Sequence, residues 1–156
     1  HRAHPHARCA LHVHSPFATV LACLEDPVLP PLDQNAAMFW GRMAVDRDFG
    51  GMALGEEAER AVAGLADPAA LVLLMANHGV MAVGPTVAEA FHRLYYFERA
   101  AGTYVRALST GRPLRVLPDA VAERTERQWE GYEGFAEAHL RAVMALLDRE
   151  GEDFRR

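Results

Sequence analysis

An uninterrupted apolar run, Leu71-Val72-Leu73-Leu74-Met75, is followed by Asn77-His78-Gly79 and a second apolar run at 80–83, closed by Gly84. A strand that is apolar at every position must be covered on both faces. Asn-His-Gly turns the chain, so the second run pairs back on the first. The chain therefore needs a sheet in its middle and helices outside it, the α/β class.

The rest of the sequence supplies those helices. Residues 8–14 read as a strand entering a turn. Ser15-Pro16 starts a helix, with Ser15 as N-cap and Pro16 at the first helical position, and Asp26-Pro27 stops it. Asp33 caps a brief helix carrying Ala36, Met38 and Phe39, and 43–45 is a short strand. Gly50-Gly51 is a turn or bulge, and 56–65 is an amphipathic helix. Thr86 caps a helix reaching about Ser109, with Glu89 completing a capping box and Val87, Phe91, Leu94, Ala101, Val105 and Leu108 as its apolar stripe. A last helix spans about 119–149, kinked where Gly131 and Gly134 weaken it. No repeat and no boundary between domains is visible.

Composition narrows the function classes. At 51% apolar and 24% charged residues, disorder is excluded as the main state. The 156 residues make about one domain. Sixteen basic against 21 acidic residues, net −5, give no electrostatic case for nucleic acid. No stretch approaches the ~20 apolar residues of a membrane span. Cys9 and Cys23 are too few for a disulfide scaffold, so a reducing cytoplasmic setting and two buried thiols are expected. No signal peptide is visible. The chain opens His1-Arg2-Ala3-His4 with no initiator methionine, so a processed, trimmed or partial polypeptide is expected.

The chemistry concentrates in His12-Val13-His14, at the end of a strand. Side chains two apart on a strand share a face, roughly 6.5–7 Å apart at the backbone, close enough to converge on one metal. Hydrogen-bonded surface histidines would give the same pattern. His78 follows the most buried-looking strand, where α/β proteins place their chemistry, and could supply a third ligand. A turn histidine bonding its own backbone is the alternative. Three histidines with an open fourth position make a catalytic rather than a structural metal site.

These motifs resemble the class II aldolase/adducin family. The likeness rests on H-V-H-S-P-F-A-T at 12–19, the 33–39 region with Gly41, Gly50-Gly51, and L-L-M-A-N-H-G-V-M-A-V-G-P-T-V-A-E-A-F at 73–91. The closing A-V-M-A-L-L-D-R fits the adducin-like bacterial branch. The resemblance implies a three-layer α/β/α domain with a largely antiparallel central sheet, spanning 1–156 and lacking its N-terminal portion. It implies that His12, His14 and His78 bind a divalent metal, Zn²⁺ first, with Mn²⁺ or Fe²⁺ as alternatives. The metal would act as a Lewis acid on a small hydroxylated carbonyl substrate, phosphorylated or not, and stabilise an enediolate. A homotetramer with sites between subunits is implied, with Trp129 and Tyr132 as contributors to a neighbour's pocket.

Two departures bear on the reaction. The family's acid/base glutamate and phosphate-gripping loops lie before the His-x-His strand, and none of the eleven residues preceding His12 is acidic. The catalytic base is therefore unassigned and expected upstream of His1. Ala37 stands where the epimerase branch has an aspartate, which disfavours epimerase chemistry. The expected function is a metal-dependent lyase of the aldolase type. The alternatives are a non-catalytic adducin-like assembly protein, or a dehydratase, decarboxylase or oxygenase on the same frame.

The remaining candidates have plainer readings. His1, His4 and His6 are read as histidines at a fraying end, and His92 and His139 as structural or exposed. Glu98 falls on the apolar side of its helix and needs a partner. It would either orient a liganding histidine from behind or pair with Arg93 or Arg99. Glu56 and Glu57 favour a helix N-terminus by dipole. Tyr95, Tyr96, Phe97 and Tyr104 are read as core or subunit contacts.

Overall fold

A computed structural model describes residues 3–51 and 56–151 of the chain. His1 lies outside the described residues. Four strands form one sheet: β1 (Cys9–Val13), β2 (Met43–Asp46), β3 (Val72–Met75) and β4 (Gly79–Gly84), in the order β1-β4-β3-β2. β4 runs antiparallel to both β1 and β3, while β2 lies parallel to β3. The sheet is thus mostly antiparallel, as expected. The one parallel pair is joined by a helical crossover, α3 (Glu56–Gly64), as parallel strands require.

Every residue of β3 is buried, which is why its sequence is apolar without alternation. Its two faces feed two cores. Val72, Leu74, Val80 and Ala82 pack with Leu21, Phe39, Phe97 and Ala101. Leu73, Met75 and Val83 pack on the other side with Leu65 and Ala70, and with Ala61 of α3. The first face carries α1 (Pro16–Ala22), α2 (Gln34–Ala37), α4 (Val87–Ser109), α5 (Asp119–Glu130) and α6 (Phe135–Glu150). With α3 on the other face, the sheet is the middle of three layers. Among the described residues no helix is long and apolar enough to cross a membrane.

Several expectations need correction. The buried side of α4 is Ala88, Ala90, His92, Phe97, Ala100, Ala101, Gly102 and Tyr104, whereas Val87 and Leu108 are exposed. Small residues win because α4 is pressed against α1, the sheet and α6 together. At Gly102 a Cβ would stand 3.0 Å from the Phe17 ring. The capping box is half formed: Thr86 accepts from the Glu89 amide, but the Glu89 carboxylate pairs with Arg93. The last helix is broken into two, with Gly134 in the left-handed region at φ 72°. Cys9 is half-buried and Cys23 exposed, so neither is a fully buried thiol. Asp33 does cap α2, accepting from the Ala36 amide at 2.8 Å.

Of the two readings of His92, structural or exposed, the structural one holds: it is buried, and its Nδ1 lies 3.2 Å from Nδ1 of His139 on α6. One shared proton satisfies that contact; a second would set two N–H groups against each other and leave a cation in a buried site. Burial, then His139 and Arg93, push the His92 imidazole down to about 4 from its ordinary 6.5. The unfolded chain takes up the proton as pH falls below 6.5, and the folded chain resists until about 4. Stability therefore falls with pH across that window and is indifferent to this residue above it, a loss of about 3 kcal/mol. Urea unfolding from pH 7 to 4 should show a shallower decline for His92→Leu than for the parent; equal slopes would refute the assignment.

Candidate metal centre

The centre is built where β1 ends beside the β3–β4 turn. In the β1–β4 ladder His12 stands opposite Met81, and directly opposed residues share a face. Met81 belongs to the α3-side core, so His12 and, two residues on, His14 project to that side of the sheet. His78 is set by the turn. Asn77 adopts φ 55°, a conformation asparagine tolerates, and its amide donates to Ala22 O at the end of α1 at 2.9 Å. The His78 amide donates to Met75 O at 3.1 Å.

One ligand atom from each of His12, His14 and His78 lies within 4.8 Å of the others. Their ring centroids are 4.6–5.0 Å apart. The ring nitrogens can be assigned. Nδ1 of His12 lies 3.0 Å from the Val80 carbonyl, which only accepts, so Nδ1 carries the proton and Nε2 is the free base. Nδ1 of His78 lies 2.5 Å from Oε1 of Glu57, which leaves Nε2 of His78 facing the cluster. Nε2 of His12 and Nε2 of His14 are 3.1 Å apart. Two nitrogens each about 2.05 Å from a tetrahedral zinc would be about 3.3 Å apart, so the spacing fits two ligands of one ion. Partial burial of the ring lowers the His12 imidazole from its ordinary value, which favours the neutral form a ligand needs.

Close approach of the strands depends on Gly79. A Cβ there would stand 2.5 Å from Val13 O and 2.9 Å from Cδ2 of His14. Only a residue without a side chain lets the turn carrying His78 close onto the end of β1.

The other candidates fall elsewhere. Glu98 touches no histidine and neither arginine proposed for it. Its carboxylate accepts from Ser15 Oγ at 2.7 Å and from the amides of Phe17 and Ala18 at 2.8 Å, capping α1 from a distant helix. Its partner is the unsatisfied N-terminus of α1, a need that sequence spacing does not show. Ser15 holds the cap position but donates to Glu98 rather than capping α1 with its own side chain. Arg93 pairs with Glu89, and Arg99 lies over the Tyr95 ring. His4 bonds Val62 O. Ala37 is buried within α2. Trp129 and Tyr132 line a pocket with Tyr96 and Phe135 that none of the three clustered histidines lines. Glu57, read from the sequence only as favouring a helix N-terminus, contacts His78, 21 positions away.

Residues 1–105 match the family model described as the class II aldolase and adducin N-terminal domain. The chain belongs to this family. A Caulobacter vibrioides protein named for the class 2 aldolases is 34% identical over 130 residues, covering 82% of this chain and 49% of that protein. Beta-adducin of Rattus norvegicus is 31% identical over 163 residues, covering 96% of this chain and 22% of its own length. The 5-methylthioribulose-1-phosphate/5-deoxyribulose-1-phosphate aldolase of Rhodospirillum rubrum is 32% identical over 131 residues, covering 82% of this chain and 56% of the enzyme. The crystal structure of an aldolase II superfamily protein from Pseudomonas syringae superposes with TM-score 0.87 at 31% identity, over all of this chain and 62% of that one. This class II aldolase/adducin domain thus spans about half of the Caulobacter protein and about a fifth of beta-adducin.

Two substitutions test the framework. Gly79→Ala should cost about 1–3 kcal/mol in urea unfolding, because Val13 or His14 must move, and should weaken metal retention as well. Glu98→Ala should cost about 1–3 kcal/mol by stranding two part-buried helix-end amides. It should leave metal retention nearly unchanged, since Glu98 touches no histidine; a parallel loss of metal would contradict its assignment to α1.

Proposed function

We propose that this chain carries the metal-holding part of a class II aldolase-type lyase. The observation that supports the reading is the convergence of His12, His14 and His78 with the outer nitrogens of His12 and His78 tied down by acceptors. When bound, a divalent ion supplies Lewis-acid polarisation of a substrate oxygen. Three protein nitrogens leave a coordination position open, as a catalytic rather than a structural site does. Val80 O holds His12 in one tautomer, and Gly79 allows His14 and His78 to share one side of the sheet. The substrate class is a small hydroxylated carbonyl compound. The likeness to an aldolase named for ketose 1-phosphates directs the first assays to that group. Zn²⁺ is the first expected metal, and a homo-oligomer, a tetramer by family resemblance, the expected assembly.

A second reading, an assembly module without catalysis, is favoured by the beta-adducin likeness, which covers nearly the whole chain. The intact histidine cluster and its tautomer-fixing contacts speak for the lyase, since a scaffold has no use for them.

Purified protein should retain about one equivalent of divalent metal per chain, and His12→Ala, His14→Ala or His78→Ala should each reduce it several-fold. Elemental analysis after mild purification decides this. Below about 0.2 equivalents in the parent, unchanged in His12→Ala, the metal reading fails.

A further inference from the structure

The strongest unassigned feature beside the centre is Glu57. Its side chain is largely covered, with 13% exposed, although acidic residues mostly stand in solvent. Oε1 accepts a hydrogen bond from Nδ1 of His78, while Oε2 is buried with no hydrogen-bond partner among the described residues. A carboxylate with one oxygen left unsatisfied destabilises a fold unless positive charge nearby offsets it.

The charges around it are informative. Arg60, the one basic residue of α3, interacts with Glu57 through its charge but makes no hydrogen bond to it, donating instead to Oδ2 of Asp46 at 3.0 Å and to Asp48 O. Those contacts anchor α3 to the end of β2 one turn beyond Glu57. Leu65 and Ala61 seat the rest of α3 on the sheet. The helix is thus held so that Glu57 meets His78 from behind, on the side away from His12 and His14. Glu57 is badly placed to reach a substrate in front of the cluster, and well placed to fix the imidazole.

We propose that Glu57 is a positioning residue of the metal centre: it fixes His78 with Nε2 toward His12 and His14, and its negative charge complements a divalent cation held there. This rests on the metal reading above. A carboxylate behind a liganding histidine fixes its tautomer and raises its basicity, and losing such a partner typically lowers metal affinity about 10–100-fold. Glu57→Gln keeps an acceptor oxygen for Nδ1 but removes the charge, so the two contributions separate.

The test is Co²⁺ binding to the metal-free chain, by competition with a chromophoric chelator, together with the visible absorption spectrum of the Co²⁺ form. Circular dichroism melts of the metal-free variants show that each is folded. Glu57→Ala should bind Co²⁺ about 10–100-fold more weakly, with an altered spectrum. Glu57→Gln should fall between it and the parent and retain the parental spectral shape, a rescue that a general packing defect would not give. If both variants bind within about threefold of the parent with unchanged spectra, while His78→Ala does not bind, the assignment of Glu57 is overturned and the metal reading stands. If the parent itself binds neither Co²⁺ nor Zn²⁺, both fall together.

Discussion

Pairing of β1 with β4 brings residues 12–14 beside the turn at 77–79, across more than sixty positions of sequence. Everything at the candidate centre depends on that register. A slip of one residue would send His12 and His14 to the opposite face, toward the helix-covered core, because side chains alternate along a strand. The register is pinned from two directions. Val13 opposes Val80 and packs into the larger core, and Nδ1 of His12 bonds the carbonyl of the same Val80. A core residue and a candidate ligand, adjacent in sequence, thus read one position of β4. Hydrophobic burial and site geometry cannot be varied separately there.

Electrostatics divides the labour between helices. The N-terminus of α1 follows His14 directly, and a helix N-terminus is ordinarily ready to bind an anion. Here Glu98 of α4 occupies it with both carboxylate oxygens. The same contacts lock α1 to α4, so the segment leaving the His-x-His strand is held by a helix residue at least 80 positions further along the chain. Any phosphate group of a substrate would need other donors.

Much of this could be read from the sequence, and the failures have physical causes. The unbroken apolar run at 71–75 announced a strand covered on both faces, and that is where β3 lies. His12 and His14 are legible as a pair because side chains two apart on a strand share a face, whereas His78 joins them only through the family resemblance, since the β1–β4 pairing that brings it near is not local. On α4, apolar spacing misled. A helix packed on several sides at short range selects alanine and glycine, so its bulkier Val87 and Leu108 are left exposed. Glu98 was recognised as needing a partner, but its partner is a helix end contributed by backbone, which leaves no signature in residue types. Glu57 was explained well enough by the helix dipole. Its contact with His78 follows from the crossover geometry of α3, which a linear reading does not contain.

The two faces of the sheet are consequently unequal. The face bearing α1 and α4 holds the larger core and the buried His92. The face bearing α3 holds the histidine cluster, yet α3 has no fully buried residue of its own within Glu56–Gly64. It is fastened by the Arg60–Asp46 ion pair and by the packing of Ala61 and the adjoining Leu65. Two of the three histidines thus stand at the end of a strand laced into the sheet, while the third leans on the less deeply buried helix. Disturbance of α3 would act first on His78 and leave His12 and His14 in place.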